Sequence, residues 1–267
     1  MKRSPAVAGQ FYAGTPAGLN KEVESYIKSG VEKEKVIAIM SPHAGLMYSG
    51  HVAGAVYSSI ILPKTFLLLG PNHTGLGRQV AMMSSGEWSL PTGSFQIDGE
   101  LAKLVLRHTD IVQEDSQAHL FEHSLEVQLP FIGYFSDSVK IVPITVMSAS
   151  LDECSEIGEA IALAIKESGY DIVIAASTDM SHYVPDDTAR RLDGLALKEA
   201  LNLNPEGLYS TVMRNRISMC GVIPSTIMLF AAKALGATEA RLVKYATSGE
   251  ISGDYERVVG YAGVVIK

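Results

Sequence analysis

Two cysteines in 267 residues, Cys154 and Cys220, with no CxxC spacing, leave nothing from which to build a disulfide framework. That scarcity fits a reducing cytoplasm. No apolar run reaches the ~18 residues needed to span a bilayer. The opening MKRSPAVAGQFYAG is basic, but Gly9, Gln10 and Gly14 break its apolar stretch, so it does not read as a signal peptide. There is no Lys/Arg block, and the formal charge is −7. A nucleic-acid surface needs a clustered basic footprint, so that class is set aside. The glycines of GPNHTGLG lack a following GK[ST] and have the wrong spacing for GxGxxG, which argues against a phosphate cradle. No GxSxG elbow points to a covalent hydrolase. Internal repeats, low-complexity tracts and linkers are also missing.

With 47% hydrophobic and 19% charged residues, the composition is that of an ordinary globular chain. The length suits one α/β domain over residues 1–267. From Val36 onward, short apolar runs alternate with helical stretches. The runs 36–40, 65–70, 139–146 and 171–177 read as buried strands. The last strands fall at 241–248 and 257–266. Helices are expected at 49–60, 99–108, 124–135, 152–168, 186–201, 205–214 and about 221–235, and a hairpin or irregular insert at 84–96. Alternating βα units predict a mixed, largely parallel central sheet flanked by helices. In such sheets the ligand crevice lies beyond the carboxyl ends of the strands.

Histidines, acids and a cysteine collect at those ends. His43 lies in SPHAG, and His73 follows Asn72 in GPNHTG. Glu122, His123 and Glu126 open the helix expected at 124–135. Asp179 and His182 lie in STDMSHY, and Cys220 in MCGVIP. Neutral imidazoles are ligands for iron, copper or zinc. An Asp near a His supports proton transfer by fixing the tautomer. His123 is a candidate for orienting a ligand through its second nitrogen. Glu122 and Glu126 are four apart, which would put them on one helical face. For Glu126 the residues leave helix capping and function equally open. Cys220, just ahead of a helix start, is expected to have a lowered pKa that favours the thiolate, which makes it a candidate ligand or nucleophile. Cys154 reads as a buried structural thiol. His51, His108 and His119 have no supporting motif and are assigned to surface or packing roles.

In order and spacing, SPAVAGQFY, PHAG with YSG, LGPNH, EHSLEVQLPF, STDMSHY, CGVIP and the final GYAG together resemble the Memo family, named after a mediator of cell motility. The family pattern PHAGYxYSG departs here at Leu46 and keeps Tyr48. Memo proteins look like class III extradiol dioxygenases, so the resemblance implies that fold, with the pocket at one edge of the sheet. It implies a non-haem metal site of His43, His73 and Cys220, holding iron(II) or copper, with zinc as another candidate. His182 matches the acid/base histidine, with Asp179 beside it. Glu122, His123, Glu126, Tyr48 and Asn72 fall among supporting or substrate-binding positions. The expected activity is metal-dependent redox chemistry. Two alternatives stay open: non-catalytic binding of a phosphopeptide or other anionic ligand, and zinc-dependent hydrolysis. The resemblance also implies a radical-SAM pathway partner, while the charge and the short apolar runs point to no nucleic acid and no membrane.

Overall fold

The computed structural model describes residues 1–267. Twelve strands and nine α-helices run in chain order. The first third holds β1 (Lys2–Arg3), α1 (Pro16–Tyr26), β2 (Ala38–Ser41), α2 (Leu46–Ser58), β3 (Thr65–Pro71), β4 (Val80–Met82), β5 (Glu87–Leu90) and β6 (Gly93–Gln96). Next come α3 (Gly99–His108), β7 (Gln113–Glu114), α4 (Leu129–Phe135), β8 (Lys140–Val146), α5 (Leu151–Ser168) and β9 (Ile172–Ser177). The remainder is β10 (His182–Val184), α6 (Asp186–Leu201), α7 (Pro205–Asn215), α8 (Val222–Ala234), β11 (Ala240–Thr247), α9 (Gly249–Ser252) and β12 (Val258–Ile266).

The main sheet runs β10-β12-β2-β9-β3-β8-β4-β7, and β11 pairs with β12. Its centre, β2-β9-β3-β8, is parallel throughout. These four strands are apolar because helices cover both faces: IAAS of β9 and FLLLGP of β3 are buried at every position. Antiparallel strands β12 and β4 flank that centre, giving the mixed α/β fold expected. The two faces hold separate cores. One packs Leu67, Leu69 and Ile174 against α3, α5 and α8; the other packs Ile39, Phe66 and Leu68 against α1, α2 and α4. The insert at 84–96 is a hairpin of β5 and β6, which β1 extends.

The helix expected at 124–135 begins later. Ser124 and Leu125 form a turn, Glu126–Gln128 is a 3₁₀ turn, and the α-helix starts at Leu129 with Pro130 in its first turn. Helix α1 begins at Pro16, where the Thr15 side chain accepts a hydrogen bond from Gly18 N–H. No helix is long and apolar enough to cross a membrane.

The parallel strands all end at one edge. Ser41 of β2 pairs with Ser177 of β9, and Leu69 of β3 pairs with Ala176. His43, His73 and Asp179 follow these ends by two residues each. β12 runs antiparallel to β2, so its first residues lie at this same edge, with β10 beside them.

Candidate metal centre

His43 is buried, and both ends of its residue are held. Its backbone N–H donates to Asp179 Oδ1 at 2.8 Å, and its ring Nδ1 lies 2.8 Å from Ser177 Oγ. The Ser177 hydroxyl donates its one proton to the Ser124 carbonyl at 2.6 Å, so towards His43 it accepts. Gln128 Nε2 donates to the same oxygen at 2.9 Å. The proton of His43 therefore sits on Nδ1, and Nε2 carries a bare lone pair.

The second ring is fixed by one carboxylate. Glu122 Oε2 accepts the His73 backbone N–H at 2.5 Å, and Oε1 accepts its Nδ1–H at 3.0 Å. Ser124 N–H also donates to Oε1, at 2.8 Å. Burial pushes the Glu122 carboxyl up, but the hydrogen bonds from His73 and Ser124 and the charge of His73 outweigh it and hold the group at about 2. With Nδ1–H held by Glu122, the ring nitrogen that His73 has left to offer is Nε2.

His123 completes the group. Its ring stacks on His73 with centroids 4.6 Å apart and lies 5.5 Å from the ring of His43. Phe11 closes its other side at 4.8 Å. One ligand atom from each of His43, His73 and His123 lies within 4.8 Å of the other two, an arrangement that could hold a metal ion. Burial lowers the pKa of His43 far below its ordinary value, and the neighbouring imidazoles His123, His73 and His182 add to this. His123 is also lowered, by burial first, with Glu122 opposing. Both are therefore neutral at pH 7.

The structure thus groups His123, rather than Cys220, with His43 and His73. Cys220 stands beside them, its Sγ 3.3 Å from His43 Nε2 and accepting the Asp179 N–H at 3.3 Å. The expected thiolate is not what this environment favours. Burial and then the Asp179 charge push the Cys220 thiol up, and the hydrogen bonds from Asp179, Thr178 and Gly221 do not offset them. Helix α8 begins only at Val222.

The Asp179–His182 pairing also differs from the expectation. Asp179 is spent on the backbone N–H of His43, and burial raises its carboxyl to about 6 against that bond. The tautomer of His182 is set by Ser218 instead. The Ser218 carbonyl accepts Nδ1–H at 2.8 Å, and the Ser218 hydroxyl accepts the His182 backbone N–H at 2.7 Å. His182 Nε2 is left free.

The supporting residues separate in space. Glu126 is fully buried and joins Arg3 at 2.5 Å, the N–H groups of Ala6 and Val7, and the Tyr12 hydroxyl. It anchors the N-terminal segment, so neither helix capping nor a place on one face with Glu122 describes it. Asn72 shapes its own loop, accepting from Thr74 and Gly75 and donating to the Leu76 carbonyl. Tyr48, on α2, lines a neighbouring cavity. Reading along the sequence missed Ser177, Gln128, Ser218, Arg3 and Phe11. Ser177, Gln128 and Phe11 lie inside quoted motifs, where a polar residue ending a buried strand, an amide within an apolar run and an aromatic near the start were available signals.

The Memo-like protein family matches residues 3–265. This chain belongs to the Memo-like family. A MEMO1 family protein of Methanothermobacter thermautotrophicus is 39% identical, covering 98% of this chain and 99% of its own. One from Methanopyrus kandleri is 41% identical over 100% and 99%, and one from Aquifex aeolicus is 43% identical over 98% of each. An uncharacterized protein from Escherichia coli K12, known from its crystal structure, superposes with a TM-score of 0.58 at 14% identity, covering 85% of this chain and 99% of that one. At that identity the likeness is one of fold, the same mixed α/β architecture. Within the Memo-like motifs, EHSLEVQ supplies both Glu122 and His123, so a single short segment both orients one imidazole and provides another.

Proposed function

We propose that this Memo-like chain is a metal-dependent redox enzyme, dioxygenase-like in its use of iron or copper, with His43, His73 and His123 as ligands. The observation that carries this is the convergence of three imidazoles, two of which have Nδ1 tied to a neighbour so that Nε2 is the nitrogen left to offer a ligand, with only the Cys220 thiol near that of His43. The donor set fits an ion. Metal–imidazole bonds of ~2.0–2.1 Å let two ligands stand at most ~4.2 Å apart across one ion. The widest separation here is 4.8 Å at most. Closing it takes a shift of about 0.6 Å or less, within the reach of side-chain adjustment. Neutral imidazole is the binding form, and burial keeps His43 and His123 neutral. Bound iron or copper would supply oxygen or one-electron chemistry there.

The chain's own groups do the rest. His182 accepts or gives a proton at Nε2, with its Nδ1–H held on the Ser218 carbonyl. Asp179 keeps the His43 backbone in place. Cys220 would join the ligands only by losing a proton that burial favours. The proposal is tested by metal analysis of untagged protein purified anaerobically. One equivalent of iron or copper, lost in His43→Ala, is the expected result. No stoichiometric metal, or full retention in His43→Ala, overturns it. Three histidines also form a known catalytic zinc set. One equivalent of zinc in a colourless, oxygen-insensitive protein would replace the redox reading with a hydrolytic one.

A further inference from the structure

The stretch Arg3–Tyr12, near the start of the chain, is fastened to the backbone that carries Glu122 and His123. Arg3 is 1% exposed, and its guanidinium reaches three acceptors there. Nε–H donates to the His119 carbonyl at 2.6 Å, Nη2–H to the Glu122 carbonyl at 2.6 Å, and Nη1–H to Glu126 Oε2 at 2.5 Å. Trp88 fixes the plane of the group from its face, with the ring centroid 4.1 Å from Cζ. The Arg3 backbone also pairs with that of Trp88, between β1 and β5. Edge and face are both occupied, an arrangement that suits a planar fork with five donors.

Glu126 receives the rest of the segment. The N–H groups of Ala6 and Val7 and the Tyr12 hydroxyl donate to its carboxylate at 2.8, 3.1 and 2.5 Å. Between these holds the chain turns back on itself. Phe11 N–H donates to the Val7 carbonyl at 2.9 Å and Gly9 N–H to the Tyr12 carbonyl at 2.7 Å, with Gly9 at φ 79. That turn brings Phe11 to the histidines twice. Its ring lies 4.8 Å from that of His123, and its carbonyl accepts at 2.7 Å the N–H of Leu46, where α2 begins three residues after His43. The acceptor stretch is itself continuous with the site. Glu122 holds both the backbone and the ring of His73, and Gln128 donates to the Ser177 hydroxyl that faces His43. Residues 120–125 belong to neither helix nor strand, so no ladder fixes their shape and the side-chain holds set it.

We propose that Arg3 is a positioning residue of the metal centre: its fork holds the Glu122–His123 backbone in the shape that aims both His73 and His123, and the order of Arg3–Tyr12 is thereby linked to occupancy of the site. The linkage rests on the metal reading above, whereas the hold on the backbone does not. Coupling of this kind is reciprocal. An ion that favours the aimed histidines also favours the fastened segment, and loosening the segment weakens the ion by the same factor.

Arg3→Lys is the deciding variant, since it keeps a cation against Glu126 but lacks the flat fork that spans both carbonyls. Amide hydrogen exchange is compared between metal-free wild type and variant, with the amides of β9 reporting global opening. Faster exchange beyond any change in β9 is expected at His73 and Ser124, whose N–H groups donate to Glu122. Zinc, a redox-silent probe for three imidazoles, should bind the variant about tenfold more weakly, the lower end of what losing an outer partner of a ligand costs. In wild type, zinc should slow exchange at Ala6 and Val7, the amides held by Glu126. Ile161→Ala, in the core under α5, lowers stability without touching the segment. It should leave zinc affinity, and His73 and Ser124 relative to β9, as in wild type. If Arg3→Lys does not fold, Tyr12→Phe, which removes one hydrogen bond from Glu126, is read the same way with smaller shifts. Unchanged exchange at His73 and Ser124 would overturn the positioning role. Zinc bound as tightly by the variant as by wild type would overturn the linkage. Faster exchange with no zinc bound by either protein would support the hold and overturn the metal reading together with the linkage.

Discussion

Replacing Glu122 by glutamine removes one charge from a buried position while keeping the side chain's shape, and the consequence can be followed atom by atom. The carboxylate accepts from three donors: His73 N–H at Oε2, and His73 Nδ1–H and Ser124 N–H at Oε1. A glutamine has one oxygen and one NH₂. If the oxygen takes the Oε1 place, the NH₂ faces the His73 backbone N–H, donor against donor. If it takes the Oε2 place, the NH₂ faces both Ser124 N–H and His73 Nδ1. The ring can then accept only by moving its proton to Nε2, the nitrogen that has to be bare for a ligand. Either arrangement weakens the site. Loss of such an outer carboxylate costs ~10–100-fold in metal affinity, about 1.4–2.7 kcal/mol. Competition against a chromophoric chelator measures the affinity, and ¹⁵N shifts of His73 in metal-free protein report which nitrogen holds the proton. Unchanged affinity, with the Nδ1–H tautomer intact in a folded Glu122→Gln protein, would refute both the tautomer argument and the place of His73 among the ligands.

Two further predictions concern stability. Arg3→Met leaves the Glu126 carboxylate buried without its cation, and breaking a buried pair from one side costs ~3–5 kcal/mol. The thermal midpoint should fall sharply, and the double variant Arg3→Met/Glu126→Gln should recover part of the loss; a midpoint within error of wild type for Arg3→Met would count against the anchor. His119 is fully buried, and burial, aided by Arg3, lowers it to about 4 although the Ala81 backbone and the charges of Asp115 and Glu122 oppose the shift. Its ordinary value is near 6.5, so the unfolded chain binds this proton first as pH falls; stability is full above pH ~6.5 and falls by about 3 kcal/mol by pH ~4. Denaturant melts across that range should show the slope, and His119→Leu should flatten it.

What could be seen in the sequence follows from what repeats along it. VIAIM, TFLLLG and DIVIAAS announced the parallel centre because strands buried on both faces need no alternation. Helices α3 and α6 matched their expected limits, since amphipathic periodicity sets both ends. β10 gave no such signal: it has three residues, a register shift and a positive φ at its middle. The antiparallel sense of β12 was equally hidden, because an apolar run is the same in either direction. The strand-end rule put His43, His73 and Asp179 at one edge of the sheet, and each follows a strand end by two residues. It did not show that the His123 ring joins those of His43 and His73, because Glu122–Leu125 is irregular backbone, where neither helical nor strand spacing says which way a ring points. For Cys220 the sequence shows the helix ahead but not the burial, which together with the Asp179 charge pushes its thiol up although the helix begins two residues later.

The position of β12 bears on the order of events during synthesis. It is the strand partner of both β10, which carries His182, and β2, which leads to His43. β2 leaves the ribosome early, yet its antiparallel neighbour is residues 258–266. Until that stretch has been made, β2 has an unpaired edge, and the histidine turns it supports lack half their frame. The three-histidine group should therefore reach its final frame only once residues 258–266 have been made, and stalled chains lacking β12 should show exposed strand edges that invite aggregation.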